Sequence, residues 1–321
     1  MRLLAVILAM AAAGCASMTA AQQSANCDRT CLYGVLDEYL AALAAKDPSK
    51  APLASDVRYT ENNVALKVGD GVWGTIASMG KYDFRFADPE AGGIGFYGVL
   101  TEARTAAPYT LRLKVKDKKI TEIETIVARP QDSLVPFTTA DLTDKPILNE
   151  ILTPEQRTPR KRMIELADGY FNTLQQNNGQ IHTVFDPACN RRENGFQTTN
   201  NIGEGASPTM RMGCEEAFKL GYYLFDDRLR SRRFEVIDEE RGLVMAAAFI
   251  DHAGVIGEYK LTDGRTMNAS YRRPHTWCLM ETFKIKAGKI EQIEAVFVYV
   301  PYRMPSPWTN KEWVKGGFEY E

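Results

Sequence analysis

The chain has 321 residues, 45% of them hydrophobic and 25% charged, with 39 Lys and Arg against 41 Asp and Glu. That is the composition of a globular protein, and the length exceeds one ordinary domain. A net charge of −2 argues against a nucleic-acid partner. The one basic cluster, residues 228–233, stands beside Asp226, Asp227, Asp238, Glu239 and Glu240 and reads as a solvated face.

At the amino terminus Arg2 precedes an apolar run over 3–13 and then small residues, the pattern of a secretory signal too short to span a bilayer. Residues 1–21 are expected to be an address, and the destination the periplasm or the exterior. Two processing routes are open. Ala12-Ala13-Gly14-Cys15 resembles a bacterial lipobox, which would lipidate Cys15 and anchor the chain to a membrane. Thr19-Ala20-Ala21 offers ordinary cleavage before Gln22. Cysteine usage agrees with export. Cys27 and Cys31 can close a small loop at the entrance to the first helix. Cys189 and Cys214 bracket a Gly/Asn/Thr-rich excursion over 195–213, where a bridge would stabilise by about 3 kcal/mol. Cys278 is left over as a buried strand thiol. With no C-x-x-C pair and no H-x-x-x-H spacing, neither a zinc site nor any other metal or cofactor is expected.

Residues 32–45 carry Leu32, Val35, Leu36, Leu40 and Leu43 at helical spacing and stop at Lys46-Asp47-Pro48. Strand character follows over 57–67, Gly69-Asp70-Gly71 reads as a hairpin turn, and β-type runs occupy 95–100, 109–115 and 120–128. The Pro, Thr and Asp content of 131–161 marks a linker, with a short helix over 147–152. An amphipathic helix is expected over 163–174, ended by Asn177-Asn178-Gly179, then a strand carrying Glu193, a helical stretch over 215–224, and strands over 233–238, 243–251, 276–285 and 290–300. His182 reads as a surface residue and His252 as a turn residue. Residues 22–130 and 162–301 thus form two domains, and 302–321 a tail draped over the sheet. Helices followed by strands without alternation give an α+β class.

One set of short motifs occurs twice in the same order. The first copy has Tyr39 in a helix, Arg58-Tyr59-Thr60-Glu61-Asn62, and Lys119-Ile120-Thr121-Glu122-Ile123-Glu124. The second has Tyr170 in a helix, Arg191-Arg192-Glu193-Asn194, and Lys289-Ile290-Glu291-Gln292-Ile293-Glu294. The tyrosine-to-glutamate spacing is 61 − 39 = 22 in one copy and 193 − 170 = 23 in the other. A period this long indicates a duplicated domain rather than a solenoid.

The helix that carries Tyr39 and stops at Asp47, and the closing hairpins 111–120 and 281–290, resemble the nuclear transport factor 2-like (SnoaL-like, ketosteroid isomerase-like) superfamily. The resemblance implies two cone-shaped α+β domains, each with helices packed in a strongly curved antiparallel sheet and a ligand cavity in its mouth. It places the helical oxyanion-donating tyrosine on Tyr39 and Tyr170, and the carboxylate base on Glu61 and Glu193. The second donor, a neutral carboxylic acid, falls on Glu281 in the second copy but on Leu111 in the first. Tyr39 and Glu61 are then vestigial.

Strand alternation supports the second copy independently. It puts His275, Trp277, Leu279, Glu281 and Phe283 on one face and Thr276, Cys278 and Met280 on the other; Arg191 and Glu193 likewise share a face. Aromatic surface with a few convergent polar groups makes a cavity wall, and burial would move a glutamate there toward the range useful for proton transfer. The reading is an exported, cofactor-independent lyase, isomerase or dehydratase that abstracts a proton from a small apolar, aromatic or cyclic molecule. Glu193 is the base, Tyr170 and Glu281 the oxyanion donors, and Arg191, His275, Trp277 and Phe283 the positioning groups. Plainer readings stand beside it: the tyrosines as core aromatics, Glu61 and Glu193 paired with Arg58 and with Arg191 or Arg192, Glu281 on the surface, and His275 exposed at a strand start. The alternative function is a non-catalytic module binding a ligand or a protein, in which both Glu193 and Glu281 meet an arginine and no apolar cavity remains. A third is a structural lipoprotein that dimerises through exposed sheets.

Overall fold

The computed structural model describes residues 27–130, 138–139 and 142–309; the signal region with Cys15 and the end of the tail lie outside them. Helix α1 (Arg29–Ala44) starts where the Asp28 side chain accepts the Cys31 N–H at 2.8 Å, and buries Leu32, Val35, Leu36, Tyr39 and Leu43 as one stripe. Strands β1 (Leu53–Glu61) and β2 (Val64–Leu66), a one-turn helix α2 (Val72–Thr75), and strands β3 (Ile76–Asp88), β4 (Gly93–Glu102), β5 (Thr105–Lys116) and β6 (Lys119–Val127) follow. They form a six-stranded sheet in the order β2-β1-β6-β5-β4-β3.

After the short helix α3 (Pro146–Asn149), helix α4 (Arg160–Gln176) begins the second half, and Asn177 ends it in the left-handed conformation. Strands β7 (Phe185–Glu193) and β8 (Phe196–Gln197), a one-turn helix α5 (Glu216–Lys219), β9 (Arg228–Asp238), β10 (Leu243–His252), a small hairpin of β11 (Glu258–Lys260) and β12 (Thr266–Asn268), β13 (His275–Lys286) and β14 (Lys289–Val300) complete it. The second sheet runs β8-β7-β14-β13-β10-β9, strand for strand the order of the first. The architecture is mixed α and β, two six-stranded sheets with few helices.

Some expectations about the elements need correction. The sheets are not purely antiparallel, because the closing strand of each returns beside the opening strand in the same direction: β1 with β6, and β7 with β14. Strand β3 went unread because its first half is polar (Ser78, Gly80, Lys81) and its pairing with β4 shifts register between Met79 and Asp83. Of the helical stretch 215–224 only 216–219 is a helix, and the remainder is turns.

The two sheets pack against each other. Phe84, Phe86, Tyr97 and Val99 of the first meet Val236, Met245, Phe249, Met280 and Val298 of the second in one apolar cluster. Strands β10 and β13 are therefore buried on both faces, which is why 243–250 reads as an unbroken apolar run. The charged groups within this contact are paired with opposite charges. Glu124 accepts from Arg112 Nε at 2.9 Å and from Arg233 Nη2 at 2.6 Å. Arg192 donates to Glu294 at 2.6 Å and to the Tyr82 hydroxyl at 2.8 Å, and Arg160 to Asp88 at 2.6 Å. The basic cluster 228–233 is thus no solvated face: Arg230 is spent on Asp251 and Arg233 on Glu124.

The described part of the tail crosses back to the first sheet. Trp308 Nε1 donates to Thr60 Oγ1 at 3.1 Å, and its ring lies under the guanidinium groups of Arg58 and Arg112. Disulfides join Cys27 to Cys31 and Cys189 to Cys214, and Cys278 is a free, buried thiol. Among the described residues no helix is long and apolar enough to cross a membrane.

Glu124 neutralises two buried or half-buried arginines from opposite sheets. Glu124→Ala should therefore destabilise the protein in denaturant unfolding, by less than the about 3–5 kcal/mol of a fully stranded buried partner, because Arg112 keeps Glu122 at 2.7 Å and Arg233 keeps Glu235 at 3.1 Å; a loss below about 1 kcal/mol would mean the pair is dispensable.

Candidate functional site

Helix α4 turns Met163, Leu166, Tyr170, Phe171 and Leu174 toward its sheet. It can lie close to the following segment because residue 169 is glycine: a Cβ there would sit 2.2 Å from the His182 carbonyl oxygen. That approach fixes Tyr170, whose ring meets Phe283 edge-on at 5.0 Å and Phe218 at 5.3 Å. Its hydroxyl accepts from Arg191 Nη1 at 3.3 Å.

Strand β7 presents Arg191 and Glu193 to the same space. Arg191 also donates through Nη2 to the Tyr223 hydroxyl at 2.6 Å and through Nε to Thr198 Oγ1 at 3.1 Å, and Nε lies 3.4 Å from Glu193 Oε1. Alternation along β13 brings Trp277, Leu279 and Glu281 to that face, while Cys278 and Met280 join the contact between sheets. These elements enclose a cavity of about 200 Å³. The excursion bracketed by Cys189 and Cys214 supplies Ser207, Thr209 and Met210 to its wall. Such a volume lies below the ~300–1,000 Å³ of drug-sized sites, so the cavity suits a small molecule.

Glu281 is 3% exposed and makes no salt bridge among the described residues. Burial, reinforced by the Glu193 carboxylate, pushes its carboxyl from the usual 4.5 up to about 8, against the opposing pull of Arg191 and the Tyr170 hydroxyl. At neutral pH Glu281 is therefore mostly protonated and can donate a hydrogen bond. Burial likewise holds the Tyr170 hydroxyl un-ionised. The Glu193 carboxylate sits in the same cavity as this neutral acid.

The structure thus brings together Tyr170, Arg191, Glu193, Trp277 and Glu281 on one cavity wall. Phe283 is not on that wall; it packs behind Tyr170 as core. His275 is also off it and is buried rather than exposed, stacked on His252 with ring centroids 4.3 Å apart. His252 is not in a turn: it ends β10, wholly buried, opposite His275 in the register of β10 with β13.

Asp226, Tyr223 and Tyr271 also line the cavity and were not anticipated. They lie outside the site strands and follow no periodicity; the aromatic density of Tyr222-Tyr223-Leu224-Phe225 just before Asp226 was the available signal. His252 Nε2 is 2.8 Å from Asp226 Oδ1, and burial raises the Asp226 carboxyl.

The first half answers residue by residue. Leu111 pairs with Phe96 and Thr125, as Glu281 pairs with Ala246 and Ala295; Glu61 and Glu193 stand beside Thr125 and Ala295. Leu111 therefore occupies the position of Glu281, and Tyr59 that of Arg191. Glu61 is fully engaged: it accepts from the Tyr59 hydroxyl at 2.9 Å and the Val72 N–H at 2.6 Å, and pairs with Arg129 at 2.7 Å rather than with Arg58, which meets Glu122. Tyr39, Tyr59, Trp73, Tyr109 and Leu111, all buried, fill the interior. Among the described residues no group of His, Cys, Asp and Glu is arranged to hold a metal ion.

The profile of a family described as a domain of unknown function, DUF8021, matches residues 156–297. No curated protein matches the chain. Among solved structures, it is similar to a candidate ketosteroid isomerase from Kribbella flavida DSM 17836, at 16% identity over 36% of this chain and 96% of that one, with a TM-score of 0.27. An LEH-like epoxide hydrolase from M. tuberculosis aligns at 16% identity over 31% of this chain and 84% of its own, with a TM-score of 0.22. A protein of unknown function with a cystatin-like fold from Methylobium petroleophilum PM1 aligns at 13% identity over 42% of this chain and 99% of its own, with a TM-score of 0.27.

Proposed function

We propose that the second half is an acid–base catalyst acting on a small, largely apolar cyclic or aromatic molecule. The observation that carries this is a buried Glu281 held protonated beside the Tyr170 hydroxyl, in one cavity with the Glu193 carboxylate. Glu193 would take a proton from a carbon next to a carbonyl. The electron pair moves to the carbonyl oxygen, which receives hydrogen bonds from Tyr170 and Glu281. Return of the proton at another carbon gives an isomer, and loss of a leaving group gives elimination. Arg191 orients Tyr170 and Glu193, and Trp277 offers a flat apolar face.

The shared strand order supports reading the chain as two tandem cones, 22–130 and 162–301 joined by 131–161, with the first as scaffold. The two disulfides support reading it as exported, to the periplasm or beyond. The 3.4 Å pairing of Glu193 with Arg191 favours the second reading, a binding module without catalysis. The cavity and the absence of an arginine on Glu281 among the described residues weigh against it.

Two measurements bear on this. In the unfolded chain Glu281 loses its proton near 4.5, whereas in the folded protein it keeps it to about 8. Stability is therefore lost progressively as pH rises through that window and is level above it. Glu281→Gln, which has no such proton, should gain on the parent by an amount growing from pH 4.5 through pH 8 to a level on the order of 5 kcal/mol. A gap that stays constant in urea titrations would mean the carboxyl ionises normally. Second, nitrobenzisoxazole reports general-base catalysis: removal of its ring C–H proton breaks the N–O bond and releases a coloured phenolate. The protein should accelerate this ring opening, and Glu193→Gln should lower kcat/KM by roughly 100-fold or more. An unchanged kcat/KM would remove Glu193 from the role of base.

A further inference from the structure

The cavity has a second polar group that the acid–base scheme leaves unused. Asp226 is 5% exposed and lies on the cavity wall. Its Oδ1 lies 2.8 Å from His252 Nε2 without meeting hydrogen-bond geometry, so among the described residues this buried oxygen has no donor. Arg191 forms no hydrogen bond to it among the described residues: Arg191 donates to Tyr170, Tyr223 and Thr198 and lies beside Glu193, and it acts on Asp226 only through its charge. His252 cannot reach a ligand itself: it is wholly buried, stacked on His275 and covered by Trp277 with ring centroids 4.4 Å apart. Its Nε2 stands at ion-pair distance from the Asp226 carboxyl.

The strand register shows where this group stands relative to Glu281. Glu281 is opposite Ala246, Leu279 opposite Ala248, Trp277 opposite Ile250 and His275 opposite His252. Along one face of β13 the order is therefore carboxylic acid, Leu279, Trp277, and then the histidine pair beside Asp226. The wall carries a carboxyl group at each end and is apolar in the middle.

The geometry points to Asp226, buried beside His252 and lacking a donor, as an anchor for a hydrogen-bond donor, best a protonated amine, at the end of the ligand remote from Tyr170 and Glu281. The ligand class is then a small ring compound with an oxygen at one end and an amine at the other. An ammonium also gains from the Tyr223 and Tyr271 rings on the wall. A carboxylate at that end would face Asp226 and be rejected. This rests on the reading that a ring with an oxygen function enters the cavity, but it concerns binding and does not require turnover.

The probes are para-cresol, para-hydroxybenzylamine and para-hydroxybenzoate, titrated calorimetrically into the disulfide-intact protein. The amine should bind at least about tenfold more tightly than the cresol, and the benzoate more weakly than either. Asp226→Asn should erase the preference of amine over cresol. Equal affinities, tighter binding of the benzoate, no binding by any of the three, or a preference that survives Asp226→Asn would each overturn the assignment. Because Asp226 is buried, a structure with the amine bound provides a test on the unaltered protein: a nitrogen out of hydrogen-bonding range of Asp226 overturns it, and one within range supports it. An amine preference combined with undiminished ring opening by Glu193→Gln would uphold the anchor while removing the base.

Discussion

The contact between the two sheets is the constraint on which the rest depends. It leaves β10 and β13 with no solvent face: one side of each strand lies against the other sheet and the other against α4 and its loops. A strand held this way cannot slip by one residue, since that would carry Met280 into the cavity and Glu281 into the apolar contact. The placement of Glu281 is thus secured by packing on the reverse of its own strand. The charged groups in the contact serve the same end. Glu124 and Glu294 stand at equivalent positions of the two sheets, and each is met by an arginine: Glu124 by Arg112 and Arg233, Glu294 by Arg192. Matched this way, they add register without leaving a buried charge alone.

Within one common strand order the halves have opposite interiors. Where the second half has Arg191, Trp277 and Glu281, the register of the first gives Tyr59, Ala107 and Leu111. Tyr59, Tyr109 and Trp73 fill the first interior, and Glu61 is tied to a backbone N–H, a hydroxyl and Arg129. A carboxylate with that many partners has little hydrogen-bonding capacity left for a guest. In the second half Glu281 has a neighbouring carboxylate instead of a cation in bonding range, and its proton stays on.

Much of this was legible in the chain. The paired motifs set the equivalences of Tyr39 with Tyr170 and Glu61 with Glu193. Two-residue alternation set the face that carries Trp277, Leu279 and Glu281, because a strand buried on both sides still sorts its residues by side. Alternation does not say how far along a face the cavity extends. Phe283 and His275 share the face of Glu281 yet fall beyond it, one behind Tyr170 and the other against His252. The second polar group was invisible for a different reason. Asp226 precedes β9, and His252 looked like part of a turn because Ala253 and Gly254 follow it; only the pairing of His252 with His275 shows that the strand reaches so far. Strand β3 was hidden by its own irregularity, since a bulge breaks the period on which a strand is recognised.

The tail that runs back to Thr60 bears on the stretch matching a family profile, residues 156–297. That stretch contains the whole cavity floor but not its own support. Taken alone it would expose Val236, Met245, Phe249 and Met280 as a continuous apolar face, and Arg233 would lose Glu124. In this protein the cover comes from the same polypeptide, and the strap through Trp308 fastens it a second time. A free-standing unit of this kind would need a foreign surface in its place, with a second copy of itself as the simplest source. The first half can therefore be regarded as a permanently attached partner, free to fill its own pocket because its outer face is what the second half requires.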